Sequence, residues 1–373
     1  MRTAFTDLVG TTQPLVGFSR SPGVVAEVSR AGGLGVLAAT AYRPDELDAQ
    51  LTWIEQRTGG APYGVDLLVP AGTSDAATDQ RRRIPQQHWD FVAELLARHD
   101  LDPARLRAAP GADSTAHAIA PGGVDELLDV TFAHPVALVA NALGPPPPSM
   151  VERAHAVGVV VAALVGRREH AERQLAAGVD VLVAQGTEAG GHTGSIATMV
   201  LTPEIVALAD DVPVLAAGGI ASGEQLAAAL ALGAAGAWCG SVWLATREDI
   251  TPDPVKRKLL AAGSHGTVRS RTRTGKPARQ LRSAWHDAWE APGAPEPLAM
   301  PLQVLLAKDA WAVIDGAAAA GHAGAQELES FFVGQVVGGL AELRPTADVV
   351  AGMLADCATR LRALAGLVDV PTG

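Results

Sequence analysis

The segment "VPVLAAGGIASGEQLAAALALGAAGAWCGSVWL", residues 212–244, contains a strand–helix–strand unit. An apolar run of strand length ends at Gly218 and Gly219, Ser222 follows as a helix N-cap, and a helical segment closes at Gly233 before a second apolar run. Strands that are apolar on both faces are typical of parallel sheets covered by helices. The segment therefore predicts one βαβ unit of a parallel sheet.

The same unit recurs along the first 250 residues. The predicted strands cover residues 14–19, 34–40, 63–70, 135–144, 157–166, 179–186, 212–220 and 236–244. Eight alternating strands and helices predict a closed (β/α)₈ TIM barrel. An open doubly wound sheet is the alternative, but "GLGVLA" at 33–38 precedes a strand-like run instead of following one, so the dinucleotide-binding fingerprint is not met.

Two parts of the chain depart from the repeat. Residues 71–134 form a predicted insertion, with an extra helix at 84–101 and a Gly/Pro-rich loop at 108–123. Residues 251–373 form a predicted, mainly helical C-terminal extension that caps the barrel mouth, by analogy with other barrels. We therefore expect a barrel domain at 1–250 and a cap or substrate region at 251–373. Predicted helix N-caps include Ser21, Ser149 and Ser222.

Composition excludes several classes of protein. The formal net charge of −11 argues against a nucleic acid or an anionic membrane as partner. Two distant cysteines, Cys239 and Cys357, do not form a disulfide framework. The N-terminus lacks a signal-peptide core, and the longest apolar run, at 157–166, is too short to span a bilayer. We expect a cytoplasmic protein. Motifs for zinc, P-loop and nucleophilic-serine chemistry do not occur, so we expect no metal site.

Polar and glycine-rich residues collect where the predicted strands end. "AQGTEAGGHTG" at 184–194 follows the sixth strand, "AGGI" at 217–220 the seventh, and "WCGS" at 238–241 belongs to the eighth. Asp66 lies in the third strand and Asn141 near the end of the fourth. Because active sites of such barrels lie at the C-terminal ends of the strands, all of these residues point to one mouth.

The glycines after the seventh and eighth strands suit a phosphate. Adjacent glycine turns before a Ser-capped helix direct backbone N–H groups at one point, and barrels often bind phosphate there. The alternative is that these glycines only make tight turns.

Several stretches together resemble the nitronate monooxygenase family. They are "PLVGFSRSPGVVAEVSRAGGLGVLAA", "YGVDLLVP", "AQGTEAGGHTG", "VPVLAAGGI" and "GAWCGSVWLAT", in that order and within about residues 10–285. The "EAGGHTG" motif is the most specific of them. The resemblance implies an FMN-dependent barrel, with His192 as the catalytic residue that handles the substrate proton. The implied cofactor-binding residues are Asp66, Gln185, Gly190, Gly191, Gly218, Gly219, Trp238, Cys239, Gly240 and Ser241.

The chain also departs from that family. Members commonly have an Ala-Pro-Met-like stretch after the first strand, where this chain has "VGFS" at 16–19, and an Asn where it has Asp66. A carboxylate near a flavin is repelled unless it is paired or protonated. These departures leave FMN as the expected cofactor and leave the substrate open.

Four further residues are candidates for substrate contact: Asn141, Glu188, Arg273 and Lys276. Glu188 could be a second acid–base group or could bond to backbone N–H groups of its own turn. Arg273 and Lys276 belong to the basic run "RSRTRTGKPARQLR" at 269–282, which could receive an anionic substrate or the phosphate of NADPH. The alternative is a solvated face paired with acidic helices. His192 could likewise be a surface-loop histidine.

The expected function is flavin-dependent oxidation of nitronates or nitroalkanes, with dioxygen as the final electron acceptor. An imidazole that titrates near neutrality suits proton removal from a carbon acid. One alternative is an NAD(P)H-dependent reductase of enoyl thioesters, in which His192 supplies a proton and the basic run holds the acyl carrier. Another is a barrel that binds flavin without turnover.

Overall fold

The computed structural model describes residues 1–40, 42–69, 80–107, 121–141 and 144–367. Eight strands form a closed parallel barrel and pair in chain order, with the last strand against the first. They are β1 (Leu15–Ser19), β2 (Leu34–Ala38), β3 (Tyr63–Leu67), β4 (Leu138–Asn141), β5 (Val160–Val165), β6 (Val181–Gln185), β8 (Val214–Ala217) and β9 (Gly236–Cys239). The predicted TIM barrel is confirmed, and every barrel strand lies within its predicted run.

The last barrel strand is shorter than predicted. The run at 236–244 was expected to be one strand, but β9 ends at Cys239 and a 3₁₀ turn occupies Ser241–Ala245. The Trp243 indole N–H donates to the Cys239 carbonyl at 2.6 Å, which closes this turn against the strand end. A continuous apolar run therefore did not reveal the bend at Gly240.

Helices follow the strands and surround the barrel. They are α1 (Ala4–Val9), α2 (Pro22–Arg30), α3 (Pro44–Thr58), α4 (Gln86–Arg98), α5 (Pro121–Ala133), α6 (Pro148–Ala156), α7 (Arg168–Ala176), α8 (Thr198–Ala209) and α9 (Gly223–Ala231). The C-terminal region adds α10 (Asp253–Ala261), α11 (Ala284–Glu290), α12 (Leu302–Ala319), α13 (Ala323–Leu328) and α14 (Thr346–Ala365).

The predicted N-caps have different outcomes. The Ser222 hydroxyl accepts the Gln225 N–H, as a capping serine should. Ser21 occupies the N-cap of α2, but its hydroxyl donates to Asp249 at 2.8 Å instead of capping. The prediction for Ser149 is wrong, because α6 begins at Pro148 after Pro147 as N-cap. The φ angle of proline suits the first residue of a helix, so α6 begins at Pro148 and not after Ser149.

Strand alternation separates two apolar layers. Inward-facing residues such as Val36, Leu138 and Trp238 form the barrel interior, and α1 adds Phe5 and Val9 to that cluster. Residues of the opposite parity pack between the strands and the surrounding helices. The side chains nearest the C-terminal strand ends therefore either line the floor of the mouth or point away from it.

The insertion and the C-terminal region share a third apolar cluster. Trp89 of α4 packs in it with Trp285, Trp289 and Trp311, all of them buried. Trp285 and Trp289 therefore pack the C-terminal segment against the insertion. The extra helix predicted at 84–101 is α4.

Some boundaries of the predicted insertion and C-terminal cap differ from those of the observed helices and their contacts. Within the predicted loop 108–123, residues 108–120 lie outside the described residues, and 121–123 begin α5 instead. Helix α5 packs on α3, so the end of the predicted insertion is an ordinary barrel helix. The last helix, α14, returns to pack on α9 and α2 of the barrel wall. The division of the chain at residue 250 stays a prediction.

An antiparallel sheet was not anticipated. Strands β10 (Thr267–Ser270) and β11 (Ala278–Leu281) pair with each other, and β11 also pairs with β7 (Gly191–His192). This sheet joins the C-terminal region to the turn after β6. It is the element that positions the histidine of the predicted site.

Helices of the described residues include none that is long and apolar enough to cross a membrane. In the same part of the chain, His, Cys, Asp and Glu side chains form no group that could hold a metal ion. Cys239 and Cys357 are both free and buried.

Candidate active site

Free backbone amides collect at the ends of β8 and β9. Within the described residues, the N–H groups of Gly219, Ile220, Gly240 and Ser241 have no hydrogen-bond acceptor. These two strand ends are neighbours in the barrel, and helix α9 begins just beyond, at Gly223. Unpaired amides next to a helix N-terminus form a cradle for an anion such as a phosphate. We call these four amides the phosphate cradle.

The backbone of the cradle requires glycine. Gly218 and Gly219 have φ angles of 94° and 74°, in the left-handed region that side chains disfavour. A Cβ at Gly218 would also lie 2.9 Å from the Ala189 amide nitrogen, whereas a Cβ at Gly219 or Gly240 would meet no atom closer than 3.5 Å. Close packing in the turn therefore requires glycine at 218. At Gly219 and Gly240, open space lies where a side chain would begin. These residues fit the phosphate of FMN.

Two predicted cofactor residues beside the cradle have other surroundings. Trp238 points into the barrel, where its ring lies 5.7 Å from that of Phe18 and helps form the floor of the mouth. Cys239 has the opposite parity and packs in the outer layer, where burial raises the pKa of its thiol to about 12. Strand alternation turns the Cys239 side chain away from the mouth, and the assignment of this residue to the cofactor stays a prediction.

A C-terminal segment that sequence reasoning missed borders the cradle. The Gly334 N–H donates to Ser241 Oγ at 2.8 Å, and the Gln335 N–H donates to the Glu188 carbonyl at 2.9 Å. A Cβ on Gly190 would lie 2.8 Å from the backbone of Val333. Packing against this segment thus explains the glycine at 190. In the sequence, the Gly-Gln pair in "FVGQVVG" (332–338) was the feature that could have indicated this segment.

Gly191 and His192 lie on the two-residue strand β7. Gly191 has a φ of 77°, and a Cβ there would meet nothing within 4 Å, so its conformation is what requires glycine. His192 pairs with Ala278 of β11. The histidine is therefore held by a strand of the C-terminal region as well as by its own turn.

A hydrogen bond fixes the ring of His192. Its Nε2 lies 2.8 Å from Thr274 Oγ1, and the Thr274 hydroxyl donates to the Lys276 carbonyl at 3.0 Å. Because that hydroxyl proton is already used, Nε2 carries a proton and donates it to Thr274, which leaves the lone pair on Nδ1. Partial burial and the nearby Lys276 charge lower the pKa of His192 below 6.5. The imidazole is therefore neutral at pH 7.

His192 and Gln185 line a cavity of about 400 Å³ at the mouth. This volume lies within the range of roughly 300–1,000 Å³ that is typical of ligand pockets. Leu164, Val165 and Met300 give the cavity an apolar part, and His170, Arg173 and Lys276 lie along its wall. Arg173 and Lys276 are exposed, so the cavity opens to solvent beside two positive charges.

Asp66 lies in the barrel interior near the C-terminal end of β3. It is 2% exposed, and its Oδ1 has no hydrogen-bond partner. Burial raises the pKa of this carboxyl well above its ordinary value. Burial thus favours the protonated form of this carboxyl, which lessens the predicted conflict between a carboxylate and a flavin.

Two substrate candidates have structural partners instead. Both carboxylate oxygens of Glu188 accept from the backbone N–H of Thr198, and one also accepts from its hydroxyl at 2.9 Å, so Glu188 holds the start of α8. The buried Asn141 amide donates to the Val69 and Gly144 carbonyls and accepts the Val69 N–H. These bonds do not support substrate contact by Asn141 or Glu188.

Most arginines of the basic run hold the sheet together. Arg269 donates to the Thr193 carbonyl and Arg279 to the Thr187 carbonyl. Arg273 stacks on Trp311 at 4.0 Å and donates to the Ser330 carbonyl, and burial lowers its pKa to about 10. These arginines are used by the fold, and Arg273 is not supported as a substrate residue. Lys276 is the member of the run that lines the cavity.

Comparisons with known proteins agree with this geometry. Residues 4–356 match the family described as nitronate monooxygenase. The chain is 52% identical to a candidate monooxygenase of Mycobacterium tuberculosis, over 99% of this chain and 100% of that protein. It is 30% identical to an octahydro-indene carboxyl-CoA dehydrogenase of Rhodococcus jostii, over 98% of this chain and 99% of that protein.

A solved structure supports the same relationship. The nitroalkane oxidase of Streptomyces ansochromogenes superposes with a TM-score of 0.78 at 30% identity, and the match covers 97% of this chain and 100% of that one. A family match across nearly the whole chain and a shared barrel show the class of enzyme. This chain belongs to the nitronate monooxygenase family and is a flavin-dependent oxidoreductase.

Proposed function

We propose that the protein binds FMN and oxidises nitronates or nitroalkanes, with dioxygen as the final electron acceptor. The observation that carries this proposal is the place of His192. Its neutral imidazole lies in the wall of the mouth cavity, which also contains Gln185, while a phosphate cradle lies at the neighbouring strand ends. A base, an anion cradle and an open cavity therefore meet at one edge of the barrel.

Each group has a distinct role in this proposal. The amides of Gly219, Ile220, Gly240 and Ser241 would hold the phosphate, and Gln185 would face the ring system. When bound, FMN would supply the electron acceptor for this oxidation, with dioxygen as the final oxidant. His192 takes the proton from the carbon next to the nitro group. That C–H bond breaks, the proton moves to Nδ1, and the electron pair remains on the substrate as the nitronate.

Lys276 and Arg173 make the entrance suitable for an anion. The chain carries a formal net charge of −11, which disfavours the approach of a nitronate elsewhere on the surface. Two exposed cations beside the cavity reverse this effect locally. The same entrance would suit the phosphates of a CoA thioester, and the Rhodococcus jostii relative is named for a carboxyl-CoA substrate.

A thioester substrate is therefore the second candidate. In that case NAD(P)H would reduce the flavin, and His192 would give a proton to the substrate instead of taking one. A flavin-binding barrel without turnover is the third possibility. Wild-type activity that is lost when His192 is replaced would contradict it.

The test compares a neutral nitroalkane with its preformed nitronate. We expect His192→Asn to lower kcat/KM for the nitroalkane by about 10²–10⁴-fold, because only that substrate needs a proton removed. Activity on the nitronate should fall far less. In the wild type, kcat/KM for the nitroalkane should decrease as pH falls through the lowered pKa of His192, below 6.5, and reach a plateau above it. Dioxygen consumption measures both substrates.

His170→Asn is the matched control. His170 lines the same cavity, but its Nε2 accepts a hydrogen bond from Arg167 on the barrel rim. We expect this variant to keep wild-type rates. Unchanged nitroalkane activity in His192→Asn would contradict the assignment of His192 as the base.

A further inference from the structure

The carboxyl of Asp66 has no hydrogen-bond partner in the part of the chain that the structure describes. Its Oδ1 is buried and has no partner among these residues. An unpaired buried polar group costs stability, so native proteins keep one mainly where a ligand or a function needs it. This observation points to a missing partner for Asp66.

The position of Asp66 in β3 shows where that partner must lie. Val65 and Leu67 pack in the outer layer between strands and helices, so Asp66, between them, points into the barrel. Leu67 ends the strand, which places Asp66 one residue from its C-terminal end. The side chain therefore belongs to the floor of the mouth, the edge that also carries Gln185 and the phosphate cradle.

The neighbouring strands leave room and bring no charge. Asp66 pairs with Ala38 of β2 and Ala140 of β4, the two strands that flank it. Both carry only a methyl group on the inner face. No charged group contributes to the pKa of Asp66, which burial alone raises. Burial therefore favours the protonated carboxyl, and no acceptor among the described residues receives its hydrogen bond.

We propose that Asp66 is a neutral carboxylic acid that donates a hydrogen bond to a carbonyl oxygen or ring nitrogen of the bound flavin. The inference rests on the proposed binding of FMN. It assigns Asp66 a donor role like that of a side-chain amide, although its residue type suggests an anion. A carboxylate at the same place would instead repel the electron-rich edge of the ring.

FMN binding to the apoprotein, without turnover, tests the proposal. Asp66→Asn keeps the shape and a donor, so its Kd for FMN at pH 7 should lie within about threefold of the wild type. Asp66→Ala has no donor, and its Kd should rise about tenfold or more. The visible absorption bands of bound FMN should be the same in wild type and Asp66→Asn and shifted in Asp66→Ala. Thermal unfolding shows whether each variant is folded.

Other outcomes would overturn the inference. Tighter FMN binding by both variants would show that Asp66 is an ionised group that repels the flavin. Equal Kd values and equal spectra in all three proteins would show that Asp66 does not contact FMN. Should wild type and both variants all fail to bind FMN, the proposed function itself would fall, and this result is distinct from the other two.

A second measurement applies even where Asp66→Ala does not fold. Calorimetry of FMN binding in buffers of different ionisation enthalpy counts the protons taken up. A neutral Asp66 in the free protein predicts the same count for wild type and Asp66→Asn. An uptake of about one extra proton by the wild type would show that Asp66 is ionised in the free protein and protonated only in the complex, which contradicts its neutrality before binding but not its role as a donor.

Discussion

Gly219 combines an unpaired amide with a backbone angle that other residues disfavour. Its φ of 74° is left-handed, and a Cβ there would meet no atom closer than 3.5 Å. Gly219→Ala should therefore fold, with a cost of about 1 kcal/mol in the free energy of unfolding. Rotation of the backbone to relieve the strain would turn the amide away from the phosphate. We expect the Kd for FMN to rise about tenfold or more, measured by fluorescence titration.

Gly59→Ala provides the matched control. Gly59 is the C-cap of α3 with a φ of 63°, and a Cβ there would meet nothing within 4 Å. The substitution carries a similar backbone strain, but it lies at the C-terminus of a barrel helix, away from the strand ends that form the mouth. We expect similar destabilisation and unchanged FMN affinity. Equal effects of both variants on FMN affinity would argue against a phosphate cradle at Gly219.

Residue type and strand order predicted part of the site. Gln185, Gly219 and His192 lie at the mouth because each follows a buried strand of a closed barrel. The motif did not show that the Cys239 side chain faces the outer layer, because it does not reveal which parity of a short strand faces inward. Glu188 is held at the start of α8, a contact between separate segments that spacing along the chain does not reveal.

At the scale of elements, the cluster of tryptophans joins the insertion to the C-terminal helices. Trp285 is fully buried between Trp289 and Trp311, with ring centroids 5.9 and 5.5 Å away. Trp285→Ala should lower the free energy of unfolding by about 3–5 kcal/mol, because it leaves a large cavity. Equilibrium unfolding in urea, followed by circular dichroism, measures the loss.

Trp53→Ala is the comparison for that change. Trp53 lies on α3 with 38% of its surface exposed, and its contact with Arg57 is a cation–π pair at 5.0 Å. A loss of no more than about 1 kcal/mol is expected there. If both substitutions cost the same, the cluster around Trp285 would not be what holds these segments together.

Helices and strands with a clear hydrophobic periodicity were predictable from the sequence, whereas the shortest strands were not. The barrel strands and α4 were recognised from apolar runs and helical periodicity. Strand β7 has two residues, Gly191 and His192, and its pairing with β11 depends on a segment more than 80 residues away. Such short strands carry no periodic signal, so the sheet that positions His192 emerged only from the structure.

At the scale of the whole molecule, the barrel and the C-terminal segments complete one site. The barrel supplies Asp66, Gln185 and the phosphate cradle, while the C-terminal region supplies Thr274, Lys276 and Gly334. The fold class followed from eight repeated units, but the contribution of the later segments to the mouth required their packing. This arrangement is what the proposal of a bound flavin, with a base and an anion entrance beside it, rests on.

The central claim is that bound FMN accepts electrons from a nitro compound at this mouth. The most direct measurement mixes the FMN-loaded protein with a propionate nitronate in the absence of dioxygen and follows the visible absorption of the flavin. We predict rapid bleaching by the nitronate, slower bleaching by NADPH, and recovery of the colour when dioxygen is admitted. Bleaching by NADPH together with no response to the nitronate or its nitroalkane would contradict the claim and support the thioester reductase instead.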